Sequence, residues 1–119
     1  MKRQYQASAD VKEEVKDLVE KELKLGYMNL SEELFEQARM NFLLATQLDP
    51  TCADAFWGLM LEKENIKSED DLFENPVKYK EIVYTEYFDK AMLNANETQK
   101  ACYNQILERI YAINEGDNY

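Results

Sequence analysis

The stretch F-L-L-A-T-Q-L-D-P-T-C-A-D-A-F-W-G-L, from Phe42 to Leu59, decides the fold. Phe42, Ala45 and Leu48 recur at helical spacing until Asp49-Pro50 interrupts them. The residue before a proline avoids helical geometry, so a helix ends there. A second apolar set, Phe56, Leu59 and Met60, follows with almost no loop between. Thr51 is placed to cap the new helix, and Asp54 three residues on completes a capping box. The pattern predicts a tight corner between two helices that fold back on each other.

Helical spacing continues on both sides. A first helix is predicted from about residue 9 to between 26 and 30, with Val11, Val15, Leu18, Leu23 and Leu25 as its apolar residues. Gly26 either ends it or lies inside it where a neighbouring helix comes close. A second helix, about 33 to 48, carries Leu34, Phe35, Ala38, Phe42, Ala45 and Leu48. A third, about 52 to 66, has Phe56, Leu59, Met60 and Lys63 on one face and Trp57, Leu61 and Glu64 beside it. The polar run 67–76 follows, in which Ser68 and Asp71 have the spacing that caps one helical turn. A fourth helix, about 77 to 94, presents Tyr84, Tyr87, Phe88, Ala91 and Ala95. Asn96 and Gln99 mark the start of a last helix, about 97 to 113, bearing Tyr103, Ile106, Leu107 and Ile110. A loose tail to Tyr119 is expected beyond it.

Composition agrees with helices. The 119 residues include only 3 Gly and 2 Pro, too few breakers for a protein of tight turns. At 45% hydrophobic and 32% charged, the chain has the makings of one folded domain. A net charge of -10 repels phosphate backbones and anionic membranes, and favours solubility or basic protein surfaces. Cys52 and Cys102 form no CxxC pair, so a reducing, cytoplasmic setting with two buried thiols is expected. Met1-Lys2-Arg3-Gln4-Tyr5 leads into polar sequence without a secretory apolar block, and no run is long enough to span a bilayer.

There is no histidine, which removes histidine-based nucleophile activation, acid–base work and zinc ligation together. Glu33 and Glu36 share a predicted helix face, but helix-bundle metal sites of that spacing pair a glutamate with a histidine. Glu69-Asp70-Asp71 lacks the spaced ligands and glycine of a calcium loop. No arrangement of serine, cysteine or carboxylate suggests an activated nucleophile, so no catalytic, metal or cofactor residue is expected and the chain reads as a non-enzyme.

The corner recurs. Phe42 and Phe88 lie 46 residues apart, as do Ala45 and Ala91, Ala55 and Ala101, Trp57 and Tyr103, and Leu61 and Leu107. Asn96 stands where Pro50 stood. With Leu25-Gly26, Ala38, Phe42, Ala45 and Pro50 in place, the chain resembles the tetratricopeptide repeat family, TPR, over about residues 19–113. Glu22 and Asn29 stand where that family has tryptophan and tyrosine, Met60 replaces the second glycine, and Tyr84 replaces a small alanine. The D-P-x-x-A-x-A-F-x-G-L corner at 49–59, followed by D-D-L at 70–72, is similar to a degenerate pair in uncharacterised bacterial members.

The resemblance implies an all-α fold, a short right-handed α-solenoid of about five helices forming one domain over 1–119. Repeat 1 would cover about 19–52 and repeat 2 about 53–98. The family period of about 34 residues places an insertion at about 67–78, and a closing helix runs about 97–113. It also implies a protein–protein interaction module binding a protein or peptide, basic in character, in an aromatic-apolar groove with an acidic rim. First helices line the concave face, so Trp57, Leu61, Glu64, Tyr103 and Leu107 would be the contact surface. For Trp57 two placements compete, packing between helices or lining that groove. Leu23, Trp57 and Tyr103 stand where some members carry a clamp for a C-terminal carboxylate, so that specialisation is not expected. The alternative role is self-association, as a homodimer or part of a larger scaffold, through Leu72, Phe73, Tyr79 or Ile82.

Overall fold

The first helix, α1, runs Glu13–Ser31 in the computed structural model, which describes residues 3–116 and the side-chain surroundings of residues 3–113. Five more α-helices follow: α2 (Phe35–Leu48), α3 (Ala53–Lys63), α4 (Glu69–Glu74), α5 (Glu86–Asn94) and α6 (Glu97–Gly116). A 3₁₀ helix, Lys80–Tyr84, precedes α5. There is no strand among the described residues, as the helical spacing predicts. No helix among them is long and apolar enough to cross a membrane. The expected loose tail, beyond Gly116, lies outside the described residues.

The short connection 32–34 turns α2 back on α1. Its sharpness comes from Glu33, which takes a left-handed φ of 63° while its amide bonds to the Leu30 carbonyl. Glu33 therefore stands outside α2 and shares no helix face with Glu36, contrary to the sequence expectation. Leu34 is also outside the helix and exposed. Glu22 and Asn29, two of the four departures from the pattern the sequence resembles, are joined across the hairpin by Asn41. Asn29 Nδ2 donates to Asn41 Oδ1 (2.8 Å), and Asn41 Nδ2 donates to Glu22 Oε2 (2.9 Å).

Gly26 lies inside α1, and Phe42 explains why. A Cβ on Gly26 would stand 2.5 Å from the Phe42 ring, and so would a Cβ on Gly58 of α3. The ring is clamped between two helix backbones, and both glycines are required by that close approach. The inward face of α1 is Val19, Leu23, Tyr27 and Leu30 rather than the stripe beginning at Val11, and Leu18 is exposed. Ala38, Phe42 and Ala45 face inward from α2 as expected.

The corner 49–52 is present, but its cap is not the one expected. Cys52 is the N-cap and makes no side-chain cap bond, while the Ala55 and Phe56 amides bond to the Cys52 carbonyl. Thr51 lies too early to cap, and the Asp54 side chain is used elsewhere. α3 ends at Lys63, where Asn65 takes a left-handed φ of 58° and the Ile66 amide reaches the Leu61 carbonyl. Between these ends α3 is mostly apolar and central. It packs on α1, α2 and α5, and Trp57, Leu59, Met60 and Leu61 are all buried.

After α3, Ser68 Oγ accepts from the Asp71 amide and starts α4, as its spacing predicts. Asp71 then accepts from Asn75 and from the Tyr79 hydroxyl (3.0 Å). The expected fourth helix is divided. Thr85 is extended, its hydroxyl accepts from the Phe88 amide, and only from Glu86 onward is the chain α-helical. Tyr84 is consequently 75% exposed instead of facing inward. Leu72 and Ile82 are buried in the core, so they are withdrawn from the surface expected to pair with a second copy.

Asn96 and Gln99 form a reciprocal box: Gln99 N donates to Asn96 Oδ1 (2.8 Å) and Asn96 N to Gln99 Oε1 (2.9 Å). From there α6 packs against α4 and the 3₁₀ helix. Phe42 and Phe88 are both buried, yet their settings differ. Met60 stands where Gly26 stood, and Asn104, the counterpart of Gly58, is exposed. The count is thus six α-helices among the described residues, not five.

Candidate functional site

Residues 3–8 precede α1 and adopt no helix. Arg3, Tyr5 and Ala7 are turned toward the bundle while Gln4 is exposed, the alternation of an extended chain. The segment crosses α3, with further bonds to α1, α4 and α6.

Its anchor is Asp54, in the first turn of α3 and fully buried. The carboxylate accepts from Arg3 Nη2 (2.9 Å) and Nη1 (3.2 Å), the Gln6 amide (2.8 Å), Gln99 Nε2 (3.1 Å) and the Tyr103 hydroxyl (2.7 Å). On its other edge the same guanidinium binds Glu69 of α4. Nε donates to Oε1 at 3.0 Å and Nη2 to Oε2 at 3.1 Å. Burial opposes charge on Arg3, but the Asp54 hydrogen bond and the two carboxylates outweigh it, so its pKa lies above the ordinary arginine value.

Aromatic rings complete the pocket. Tyr5 stacks on Tyr27 with centroids 3.5 Å apart and planes 4° apart. Tyr27 is held by an edge contact to Phe42 and by its hydroxyl, which donates to the Asp54 carbonyl at 2.5 Å. The Arg3 guanidinium lies 4.4 Å from the Tyr5 centroid and 5.6 Å from that of Tyr103. Burial, reinforced by Asp54, raises the Tyr27 and Tyr103 phenols above their ordinary pKa, and burial with Glu69 does so for Tyr5. All three hydroxyls remain donors at neutral pH.

The rest of the segment is held by its amides. Ala7 N donates to Glu20 Oε2 of α1 (3.3 Å), and Ser8 N to Asp49 Oδ2 (2.7 Å), with Ser8 Oγ on Asp49 Oδ1 (2.5 Å). Glu20 and Asp54 are 34 residues apart and receive the consecutive amides of residues 7 and 6. Gln6 also accepts, at its carbonyl, from Gln99 Nε2 (3.4 Å). Beyond Arg3 a cleft of about 200 Å³ continues between Glu69, Phe73, Cys102 and Ile106.

Of the five contact residues drawn from the sequence, the structure brings Trp57 and Tyr103 together but leaves four of the five buried. Trp57, Leu61 and Leu107 are fully buried, and Glu64 is half-buried at the end of α3. Trp57 takes the packing placement, stacked on Tyr103 at 4.0 Å and 10°. Its indole N–H has no acceptor among the described residues. Tyr103 is buried too, but Arg3 and the segment lie over it. Arg3, Tyr5, Tyr27, Asp49, Asp54, Glu69 and Gln99 were not singled out as site residues from the sequence. One signal was there: Asp54 shares the helical face of Trp57, Gly58 and Leu61, and a carboxylate on an apolar face needs a partner. Comparison with protein-family models, curated proteins and solved structures finds no match.

Proposed function

We propose that the chain is a non-enzymatic protein–protein interaction module whose acidic, aromatic inner face receives an extended segment of basic character. On this reading α1/α2 and α3/α5 are two tetratricopeptide-like hairpins of a short α-solenoid, and α6 closes it. The observation that carries the reading is the seating of residues 3–8. An extended chain lies against the face of α1, α3 and α6, with its arginine on Asp54 and Glu69. The net charge of -10 supports attraction of a basic partner. Two free thiols, one buried and one half-buried, suit a reducing compartment such as the cytoplasm.

The test is hydrogen exchange of the full chain against an array of end-capped peptides containing lysine or arginine. Binding in the groove slows exchange of the first turns of α3 and α6 and speeds that of the residue 6, 7 and 8 amides. If no peptide changes exchange at those places, the function is refuted.

A further inference from the structure

We propose that the groove selects an extended protein segment carrying an arginine two residues ahead of an aromatic ring, and that residues 3–8 hold its place as an internal competitor. The inference rests on the interaction function above and names its ligand class.

The receiving groups belong to the folded body. Gln99 and Tyr103 hold the Asp54 carboxylate from α6, and Tyr27 is fixed by Phe42 and by the Asp54 carbonyl. These partners are neutral. Among the described residues the cation bonded to Asp54 is Arg3, which the segment brings in from outside the bundle. Two carboxylates grip two edges of one guanidinium, a geometry that a lysine ammonium cannot fill. The Tyr27 ring, buried beneath Tyr5, gives the second element of selection. In an extended chain residues i and i+2 share a side, so Arg3 and Tyr5 reach the two subsites together. Ala7 is buried in the core, so an apolar residue is favoured at i+4. Carboxylates on the amides of residues 6, 7 and 8 add a grip that any extended backbone satisfies.

A short tether holds such a segment at an effective concentration on the order of millimolar. A partner segment of equal intrinsic affinity therefore binds the wild-type chain weakly until residues 3–8 are weakened or outcompeted.

The probe is the end-capped peptide Arg-Gln-Tyr-Gln-Ala-Ser, fluorescently labelled, titrated by anisotropy into the full wild-type chain and into the full-length Arg3→Ala/Tyr5→Ala variant. The variant is expected to bind at least about tenfold more tightly than wild type. Peptides with lysine for arginine, or alanine for tyrosine, are expected to lose about tenfold each. A folded variant that binds all three peptides alike, or no more tightly than wild type, overturns the proposal. If array peptides without the arginine–aromatic pair still protect the groove, the interaction function survives that result; if none protects it, both fall. Should the double variant not fold, excess peptide is added to wild type and exchange of the residue 6 and 8 amides is read. Acceleration by the arginine peptide and not by the lysine peptide supports the proposal, and equal rates overturn it. A concentration-dependent wild-type dimer that the double variant abolishes assigns the groove to a second copy and overturns selection of a partner.

Discussion

Residues 3–8 are either an integral part of the core or a unit that comes off whole, and substitution energies distinguish the two. Consider Arg3→Ala. With the segment still docked, Asp54 becomes a buried carboxylate without a cation, a loss of about 3–5 kcal/mol. Tyr5→Ala removes a stacked ring that is itself only half-buried, so about 2–3 kcal/mol is a fair share of the 3–5 kcal/mol seen for a fully buried aromatic. If these costs add, the double variant loses about 5–8 kcal/mol. That is on the order of the whole stability of a 119-residue domain, at roughly 0.05–0.15 kcal/mol per residue.

A detachable unit behaves differently. Ordering six residues costs about 1–2 kcal/mol each, about 6–12 kcal/mol in all, and most of the docking interaction offsets this. The net docking free energy is taken as about 2–3 kcal/mol, a small difference between large opposing terms. No substitution within the segment can cost more than that, because release rehydrates Asp54. Arg3→Ala, Tyr5→Ala and the double variant are therefore expected to show nearly the same loss, with a folded double variant. Urea unfolding followed by far-UV circular dichroism and Trp57 fluorescence gives the three values. Additivity to within about 0.5 kcal/mol would refute the detachable segment, because a segment already released by one substitution has nothing left to lose to the second.

Gly26→Ala and Gly58→Ala each drive a methyl into the Phe42 ring, and each is expected to destabilise by about 1–3 kcal/mol despite the better helix propensity of alanine. Phe42→Leu should partly relieve either, which denaturant midpoints of the double variants will show. Burial pushes the Cys52 thiol up to about 12, so iodoacetamide at about pH 8 should modify Cys102 and spare Cys52 until the chain unfolds; mass spectrometry of the two peptides decides it. Tyr5, Tyr27 and Tyr103 have raised folded pKa values, so their contribution to stability is full below the unfolded value of about 10 and is lost as pH rises toward the folded ones. Phenolate absorbance from Tyr27 and Tyr103 should appear together with loss of helix above about pH 10, whereas Tyr5 ionises on release of the segment; ionisation of Tyr27 and Tyr103 while the helices persist would contradict it.

What was legible in the sequence was whatever a few neighbouring residues decide. Asp49-Pro50 ends α2, Ser68 starts α4 and Asn96 with Gln99 starts α6, each through bonds within four residues. The division of the fourth helix was misread because the apolar spacing of Tyr84, Tyr87 and Phe88 runs straight through Thr85. The hydroxyl of Thr85 competes for the Phe88 amide and makes a cap where spacing alone shows continuity. The groove was harder to see, because it depends on residue 3 meeting residues 54 and 69. At Asp54 the two kinds of evidence collided. Its offset from Thr51 suits a capping box, and that local explanation left no reason to ask why a carboxylate shared the face of Trp57 and Leu61.

That carboxylate is the point from which the rest follows. A buried charge is strongly unfavourable unless a counter-charge and hydrogen bonds meet it. Were Asp54 only a packing element, a hydrophobic residue of similar volume would serve α3 as well or better. The body instead supplies Gln99 and Tyr103, which hold the carboxylate in place without neutralising it. The neutralising group arrives on a segment that spends three of its own amides on carboxylates and stacks its ring on Tyr27. A fold that holds an acid in readiness and takes its cation from an extended chain has the polarity of a receptor. The preference for arginine proposed for the groove rests on what α3 and α6 leave unsatisfied at Asp54, and residues 3–8 are one chain that satisfies it.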